Sequence, residues 1–234
     1  MKTLVTSDLH GNLDKLDLTG IDLVLLAGDI APLNDISSPG VRKQLKWFNT
    51  TFKDWCMSMP TMQFVFIPGN HDMVFDSCKA YSGVSLDKLD FASNAHLLID
   101  SEITINGVRI YGTPWVPIIN HFWAFEADLI KQRNMFSKIP EGIDILLTHT
   151  PPKYPACYLD VSLYYGRESD KFGSAALTDM LIEKSPKWNF SGHIHTGHHK
   201  YDEPYVIGNT KCVNVSRLNE NYSIEFEPFV FDIN

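Results

Sequence analysis

Short apolar runs recur along the chain and predict β-strands. The run at residues 22–27 is almost continuously hydrophobic, which is typical of a strand buried on both faces of its sheet. A polar residue capable of chemistry follows closely on each run, so the strand ends are where a functional site is expected. The predicted strands cover residues 3–7, 22–27, 63–67, 143–147 and 188–191.

Helical periodicity separates several of these runs. Residues 122–136 and 174–183 predict two helices, and strands that alternate with helices are typical of an α/β fold. A further helix is predicted over residues 41–57, because apolar side chains recur there close to the helical period, at Val41, Leu45, Phe48, Phe52 and Trp55.

The middle and the end of the chain favour antiparallel pairing. Residues 103–111 contain Asn106-Gly107, a pair that suits a type I′ turn and predicts a β-hairpin. Residues 211–216 and 223–232 predict two further strands. We therefore expect an α/β fold in which mixed β-sheets, a β-sandwich, are flanked by helices, in a single domain over residues 1–234.

Charge and cysteine content narrow the class of protein. Lys and Arg number 20 against 28 Asp and Glu, a net charge of −8, which disfavours long nucleic acid or an anionic membrane as partners. A small anionic substrate stays compatible with this charge if bound metal ions reverse the local field. The cysteines lie far apart and no signal-peptide pattern precedes Asp8, so we expect reduced thiols and a cytoplasmic location. The four cysteines are Cys56, Cys78, Cys157 and Cys212.

Five short segments near predicted strand ends carry carboxylate, imidazole and amide side chains. In an α/β sheet, ligands bind beyond the carboxyl ends of the strands, where loops distant in sequence converge. Residues i and i+2 of an extended segment point the same way, so Asp-x-His and His-x-His can each project two donors into one site. The segments are Asp8-Leu9-His10, Gly28-Asp29, Gly69-Asn70-His71-Asp72, His149 and Gly192-His193-Ile194-His195.

These donor types suit borderline divalent ions such as manganese, iron or zinc. They are too many for one tetrahedral zinc, whereas two ions that share a carboxylate would use them all. Taken singly, each segment also has a structural interpretation: Asp8 could cap a helix, Asn70 could serve a turn, and His149 could be a hydrogen-bonded core group. The joint pattern favours the metal site.

In this order, the five segments resemble the calcineurin-like metallophosphoesterase superfamily. Three stretches resemble its branch of metallophosphoesterase-domain-containing proteins: Gly112-Thr113-Pro114-Trp115, Thr148-His149-Thr150-Pro151-Pro152 and Gly192-His193-Ile194-His195-Thr196-Gly197. The resemblance implies a four-layer fold and two divalent metal ions, with Mn²⁺ as the first choice and Fe, Zn or Mg as alternatives.

The resemblance also implies a role for each matching residue. Asp29 would bridge the two ions, His71 would protonate the leaving group, and Asp72 would orient the His71 ring. The remaining ligands would divide into a first set of Asp8, His10 and His195 and a second set of Asn70, His149 and His193.

The implied activity is hydrolysis of a phosphoester by water activated between the two ions. A phosphodiesterase acting on a small substrate, such as a cyclic nucleotide, is the leading hypothesis. The alternatives are a phosphomonoesterase and a non-catalytic nucleotide-binding or scaffold protein. The expected partner is a small phosphoester, with no long nucleic acid and no membrane; the oligomeric state stays open.

Three residues are candidate substrate contacts. Asn12 follows the first segment and could reach a phosphate, although it could also be a turn residue. Trp115, like Trp123, could line the pocket or pack in the core. His198 follows the last segment and could contact substrate or lie in a solvated loop.

Overall fold

Within the residues that the structure describes, the strands form two large sheets and one small one. The computed structural model describes residues 1–33, 36–76, 86–153, 173–195 and 204–233. Its strands are β1 (Lys2–Thr6), β2 (Leu23–Ala27), β3 (Gln63–Ile67), β4 (Ala95–Leu97), β5 (Ser101–Ile105), β6 (Val108–Thr113), β7 (Val116–Pro117), β8 (Glu126–Ala127), β9 (Ile145–Thr148), β10 (Trp188–Ser191), β11 (Tyr205–Ile207), β12 (Thr210–Asn214) and β13 (Phe229–Asp232).

The helices of the described residues are short. No helix there is long and apolar enough to cross a membrane. A π-helical segment, Phe48–Phe52, joins the first two helices without a break, and 3₁₀ turns cover Leu13–Lys15, Met73–Phe75 and Leu86–Lys88. The α-helices are α1 (Ser38–Trp47), α2 (Lys53–Met57), α3 (Leu129–Phe136) and α4 (Ala175–Lys184).

Parallel pairing dominates the centre of both large sheets. The first sheet has the order β13-β1-β2-β3-β4, and the second has the order β11-β12-β10-β9-β6-β5. Strands β1 to β4 run parallel, as do β6, β9, β10 and β12, whereas β13, β5 and β11 pair antiparallel at the edges. The parallel strands of each sheet therefore end at one edge of that sheet.

The core consists of three apolar layers. Alternate side chains of β2 point to opposite faces, as the pleat requires. Leu23 and Leu25 join Ile145 and Phe190 in a cluster between the sheets, whereas Val24 and Leu26 face the α1–α2 helix. A third cluster packs the other face of the second sheet against α3 and α4. The order of the layers is therefore helices, first sheet, second sheet and helices. The predicted α/β sandwich of mixed sheets flanked by helices is confirmed.

The hairpin and the first helix are confirmed close to their predicted positions. The hairpin turn pairs Ile105 with Val108, and Asn106 and Gly107 have φ values of 48° and 84°, as a type I′ turn requires. The first helix begins three residues before the predicted start, because the Ser37 hydroxyl accepts the Gly40 N–H and caps it.

The predicted helix over residues 122–136 is wrong in its first half. The Glu126 carboxylate accepts N–H groups from Ile119, Asn120 and Trp123 at 2.6, 2.8 and 3.0 Å, and this folds residues 119–126 into a loop. Asp128 then caps a helix that begins only at Leu129. Side-chain capture of backbone amides here outweighs helical propensity.

The predicted strand over residues 223–232 is also too long. Asn219 Oδ1 accepts the N–H groups of Asn221 and Ser223 at 2.9 and 3.0 Å, which closes a turn before the strand. The β-strand that pairs with β1 begins at Phe229. Asparagine commonly forms such local bonds to the backbone that follows it.

The aromatic layer under the first sheet provides a test of the packing. Phe48 is 0% exposed and its ring lies 4.7 Å from that of Phe75 and 5.4 Å from that of Phe52. Phe48→Ala is expected to lower the free energy of unfolding by about 3–5 kcal/mol, because it removes a buried ring and leaves a cavity. Denaturant titration measures the loss.

The control is Met57→Ala, at a site that is 55% exposed on the same helical segment. Its effect is expected to stay within about 0.5 kcal/mol. Equal losses in the two variants would contradict the packing described here.

Candidate metal centre

The predicted donor residues meet where the two sheets end side by side. His149 follows β9 of the second sheet, and its Nδ1 lies 2.9 Å from the carbonyl oxygen of Ala27, the last residue of β2 in the first sheet. The Gly192 segment, after β10, lies against Asp8, whose carboxylate accepts the His193 N–H at 3.0 Å. The five segments, far apart in sequence, therefore form one cluster.

Asp8, His10 and His195 form the first group. Asp8 Oδ1 lies 3.0 Å from His195 Nε2, and the His10 and His195 rings are 5.8 Å apart. One donor atom from each residue lies within 4.8 Å of the others, a spacing that could hold a metal ion. This group matches the first predicted ligand set.

The second predicted set is also brought together. His149 Nε2 lies 3.0 Å from Asn70 Oδ1, and the His193 ring lies 5.0 Å from the His149 ring. Asp29 stands between the two sets, because its Oδ2 is 3.4 Å from His149 Nε2 and 3.7 Å from His10 Nε2. This position suits a carboxylate shared by two ions.

The donors fit divalent metal ions on chemical grounds. Both ring nitrogens of His10 are buried and have no hydrogen-bond partner among the described residues. Leaving a buried polar atom unpaired is costly unless it has another partner. Imidazole, carboxylate and amide oxygen together suit borderline divalent ions, so a cation facing His10 would account for one of its two unpaired nitrogens.

Burial and the attraction between opposite charges set the protonation states of the titratable groups in the cluster. Burial opposes charge on Asp8 and Asp29, but neighbouring imidazoles, chiefly His195 and His149, hold the pKa of both carboxyls below its usual range. Burial would lower the pKa of His149, yet the Asp29 carboxylate raises it to about 9. Without metal, the cluster therefore holds two carboxylates and a protonated His149.

The other buried imidazoles behave differently. Burial lowers the pKa of His10 to about 4 and that of His193 to about 3. A neutral imidazole is the form that binds a metal ion. These two side chains are therefore in their ligating form at neutral pH.

The backbone of the cluster is strained at the donor residues themselves. Asp8, His10, Asp29 and His193 have φ values of 54°, 42°, 52° and 72°. A non-glycine residue in this left-handed region costs about 1–3 kcal/mol, and such strain concentrates at functional sites. The surrounding fold thus holds these four side chains in directions that a relaxed strand end would not give.

Glycines next to the donors provide the necessary space. A Cβ on Gly28, whose φ is +100°, would overlap the His149 ring, and a Cβ on Gly192 would overlap Ser7 Oγ and Asp8 Oδ2. The close approach of the loops depends on both glycines lacking a side chain.

His71 lies beside the donor groups. Its N–H donates to Asp29 Oδ1 at 2.8 Å, and its ring lies 5.2 Å from the His10 ring and 4.2 Å from the Trp123 ring. Buried Gln44 on α1 holds this loop, because its Nε2 donates to the His71 carbonyl at 2.6 Å and its Oε1 accepts the Val74 N–H. The imidazole is thus placed at the edge of the cluster.

The predicted role of Asp72 needs correction. Its carboxylate accepts backbone N–H groups from Ile30, Ala31 and Gly69 at 3.1, 2.9 and 2.9 Å, and it is completely buried. Burial, together with the Asp29 carboxylate, raises its pKa to about 7. Asp72 therefore ties two site loops together through their backbones, and it does not hydrogen-bond the His71 ring in the described structure.

Asn12 and Trp115, which were predicted to contact substrate, are bonded to other parts of the protein. The Asn12 amide donates to the Leu9 carbonyl at 2.8 Å and closes a local turn. Trp115 Nε1 donates to both oxygens of Asp100, at 2.9 and 3.1 Å, and its ring lies under Lys131. Both side chains have structural partners that their sequence context does not reveal. His198 lies outside the described residues.

Two aromatic side chains stand beside the site instead. Trp123 packs on His71, and Tyr222 lies 5.2 Å from the rings of both His10 and His195. For Trp123, the sequence left open whether the side chain lines the pocket or packs in the core. Tyr222 was missed, since no motif surrounds it and its approach depends on the turn at Asn219.

The fold and the donor cluster define a class of metal-dependent phosphoesterase. A model of the calcineurin-like phosphoesterase family matches residues 1–197, and the chain belongs to this family. The human protein "Metallophosphoesterase domain-containing protein 1" is 30% identical over 97% of this chain and 69% of its own length. The Caenorhabditis elegans "UPF0046 protein T07D4.2" is 30% identical over 91% of this chain and 54% of its own length.

Solved structures agree on the fold. The crystal structure of the Thermus thermophilus protein TT1561 has a TM-score of 0.57 to this chain, with 14% sequence identity over 93% of this chain and 89% of that one. At this level of identity, the comparison supports the shared sandwich architecture.

The proton on His149 predicts how metal binding depends on pH. A divalent ion must displace that proton, and also any proton on His195, whose pKa burial would lower but the Asp8 carboxylate raises. The apparent affinity should therefore rise with pH up to about pH 9 and then level off. Equilibrium dialysis against Mn²⁺ measures this dependence. An affinity that does not change over this range would contradict the raised pKa of His149. His96→Gln, remote from the cluster, should leave the dependence unchanged.

Proposed function

We propose that this phosphoesterase is a dinuclear, metal-dependent phosphodiesterase that acts on a small substrate. The observation that carries the proposal is the position of Asp29, whose Oδ2 lies 3.7 Å from His10 Nε2 and 3.4 Å from His149 Nε2. A carboxylate between one imidazole of each set is the geometry that a pair of ions sharing one ligand needs.

The proposed ligands follow from the contacts. When bound, two divalent ions would supply Lewis-acid activation of water and neutralisation of phosphoryl oxygens. Asp29 would contact both ions. The others would be Asp8, His10 and His195 in the first position and Asn70, His149 and His193 in the second.

His71 is the proposed general acid. Its ring lies at the edge of the donor cluster, and its backbone is fixed by Asp29 on one side and by Gln44 on the other. A protonated imidazole there can give its proton to the departing oxygen of the ester. General acid catalysis of this kind contributes about 10²–10⁴-fold to the rate.

The charges around the cluster favour a diester over a monoester. In the part of the chain that the structure describes, no lysine or arginine side chain is hydrogen-bonded or ion-paired with a proposed ligand. A phosphodiester carries one negative charge and a monoester up to two, so the diester makes the smaller demand on neighbouring cations. A phosphomonoesterase and a non-catalytic scaffold are the alternatives.

Three finer assignments belong to the same proposal. A cyclic nucleotide is a suitable substrate, because Trp123 and Tyr222 place aromatic rings beside the cluster where a base could stack. Manganese is the proposed native ion, since the mixed oxygen and nitrogen donors suit it. A cytoplasmic location is supported by the buried free thiol of Cys56.

Hydrolysis of matched substrates tests the proposal. Purified protein is assayed with bis-p-nitrophenyl phosphate, p-nitrophenyl phosphate and cyclic nucleotides, with Mn²⁺ added or with EDTA. We expect Mn²⁺-dependent hydrolysis with a higher kcat/KM for the diester. A preference for the monoester would indicate the phosphomonoesterase, and a metal-loaded protein inert to all phosphoesters would indicate the scaffold.

His71→Ala tests the general acid. The variant should keep its metal ions and lose about 10²–10⁴-fold in kcat on an ester with an alkoxide leaving group, which needs a proton as it departs. The loss should be much smaller for p-nitrophenolate, which is stable as an anion. Steady-state kinetics and elemental analysis provide the two measurements.

The matched control is His96→Ala, which removes a half-buried histidine that bonds to Gln63 away from the cluster. This variant should have the wild-type kcat on both substrates. Equal losses on both leaving groups in His71→Ala, or loss of metal, would assign His71 a different role.

A further inference from the structure

The chain returns to the metal centre after its last recognised segment. Val215 accepts the Ser7 N–H at 2.9 Å and donates its own N–H to Ser191 at 2.7 Å, so this residue joins the ends of β1 and β10. The Arg217 N–H then donates to the Ser7 carbonyl at 3.1 Å. Residues 214–217 thus close the edge between the two sheets, beyond the residues 1–197 that the family model matches.

Ser216, in the middle of this crossing, faces Asp8. Its side chain is buried, and its Oγ donates to Asp8 Oδ2 at 2.6 Å. The Ser216 N–H donates to Asn214 Oδ1 at 3.0 Å, and Asn214 Nδ2 donates to the Ile194 carbonyl at 3.0 Å. The hydroxyl is therefore held against the carboxylate by the loop that carries His193 and His195.

The same carboxylate oxygen has other donors. Ser7 Oγ lies 2.6 Å from Asp8 Oδ2, and the His193 N–H donates to it at 3.0 Å. Ser7 Oγ also lies within reach of the Ala27 and Gly28 carbonyls, at 3.1 and 3.3 Å, so its single proton has three acceptors. Among the described residues, the Ser216 hydroxyl has Asp8 as its one acceptor.

We propose that Ser216 is a positioning residue for the first metal position. With the two serine hydroxyls on Oδ2, Asp8 directs Oδ1 at the His195 imidazole, 3.0 Å away, and the His193 N–H reaches Oδ1 at 3.2 Å as well as Oδ2. A divalent ion held by Asp8, His10 and His195 would then meet Oδ1 in a fixed orientation. The proposal rests on the metal centre proposed above and adds a contribution from outside the recognised segments.

The size of the effect follows from the hydrogen bond that is lost. Removing a hydrogen-bond partner of a metal ligand commonly weakens metal affinity by about 10–100-fold. Because Ser7 and the His193 N–H still hold Oδ2 in Ser216→Ala, the lower end of that range, about tenfold, applies. Ser216 contacts none of Asn70, His149 and His193. Asp8 itself also lies within 4.8 Å of Asp29 and His149, so the second ion should weaken too, but less than the first.

The test measures metal binding, not turnover. Mn²⁺ binding to wild type, Ser216→Ala and Ser7→Ala is measured by equilibrium dialysis with elemental analysis, and thermal unfolding of the metal-free proteins reports whether each is folded. The matched control is Ser223→Ala, an exposed serine in the same part of the chain. Ser216→Thr keeps a hydroxyl and should retain most of the affinity.

We expect two ions per wild-type chain. Relative to wild type, one of them should bind about tenfold more weakly in Ser216→Ala, and it should also bind more weakly in Ser7→Ala. Unchanged affinities in a folded Ser216→Ala variant, or equal weakening of both ions, would overturn the role of Ser216 and leave the metal centre standing. If Ser216→Ala does not fold, an unchanged affinity in Ser7→Ala overturns the proposal. Absence of metal from wild type would overturn both proposals.

Discussion

Two buried carboxylates at the edge between the sheets impose the main constraint on this protein. Asp8 is 0% exposed and Asp29 is 2% exposed, and each is held ionised by imidazoles within about a hydrogen-bond length. Burying like charges together is very costly unless opposite charge and hydrogen bonds compensate them. The cluster therefore needs cations, and His149 takes up a proton to supply one when no metal is present.

Much of the surrounding architecture serves these two groups. The parallel strands of both sheets end at the same edge, so loops from β1, β2, β3, β9 and β10 converge there. Left-handed backbone at Asp8 and Asp29 turns the carboxylates inward, and Gly192 leaves room for Asp8. The strain is tolerated because the paired strands and buried layers on either side fix the loop ends.

Sequence patterns predicted the parts of the molecule that depend on local chemistry. Buried parallel strands appear as apolar runs, and the donor residues at their ends are recognisable by type and spacing. The loop over residues 119–126 was not predicted, because the hydrophobic period does not reveal that the Glu126 carboxylate accepts three backbone N–H groups from the preceding seven residues. Asp72 was misassigned because two of its three backbone partners, the N–H groups of Ile30 and Ala31, lie 42 and 41 residues away in sequence. Ser216 and Tyr222 reach the site only through the crossing between the sheets.

The most direct test of the account is anomalous X-ray diffraction at the manganese edge from crystals of the protein grown with Mn²⁺. The account predicts two anomalous peaks per chain, with the Asp29 carboxylate between them, Asp8 and His195 beside one, and Asn70 and His149 beside the other. A single peak, or peaks beyond coordination distance of Asp29, would contradict the shared-carboxylate centre from which the proposed hydrolysis follows.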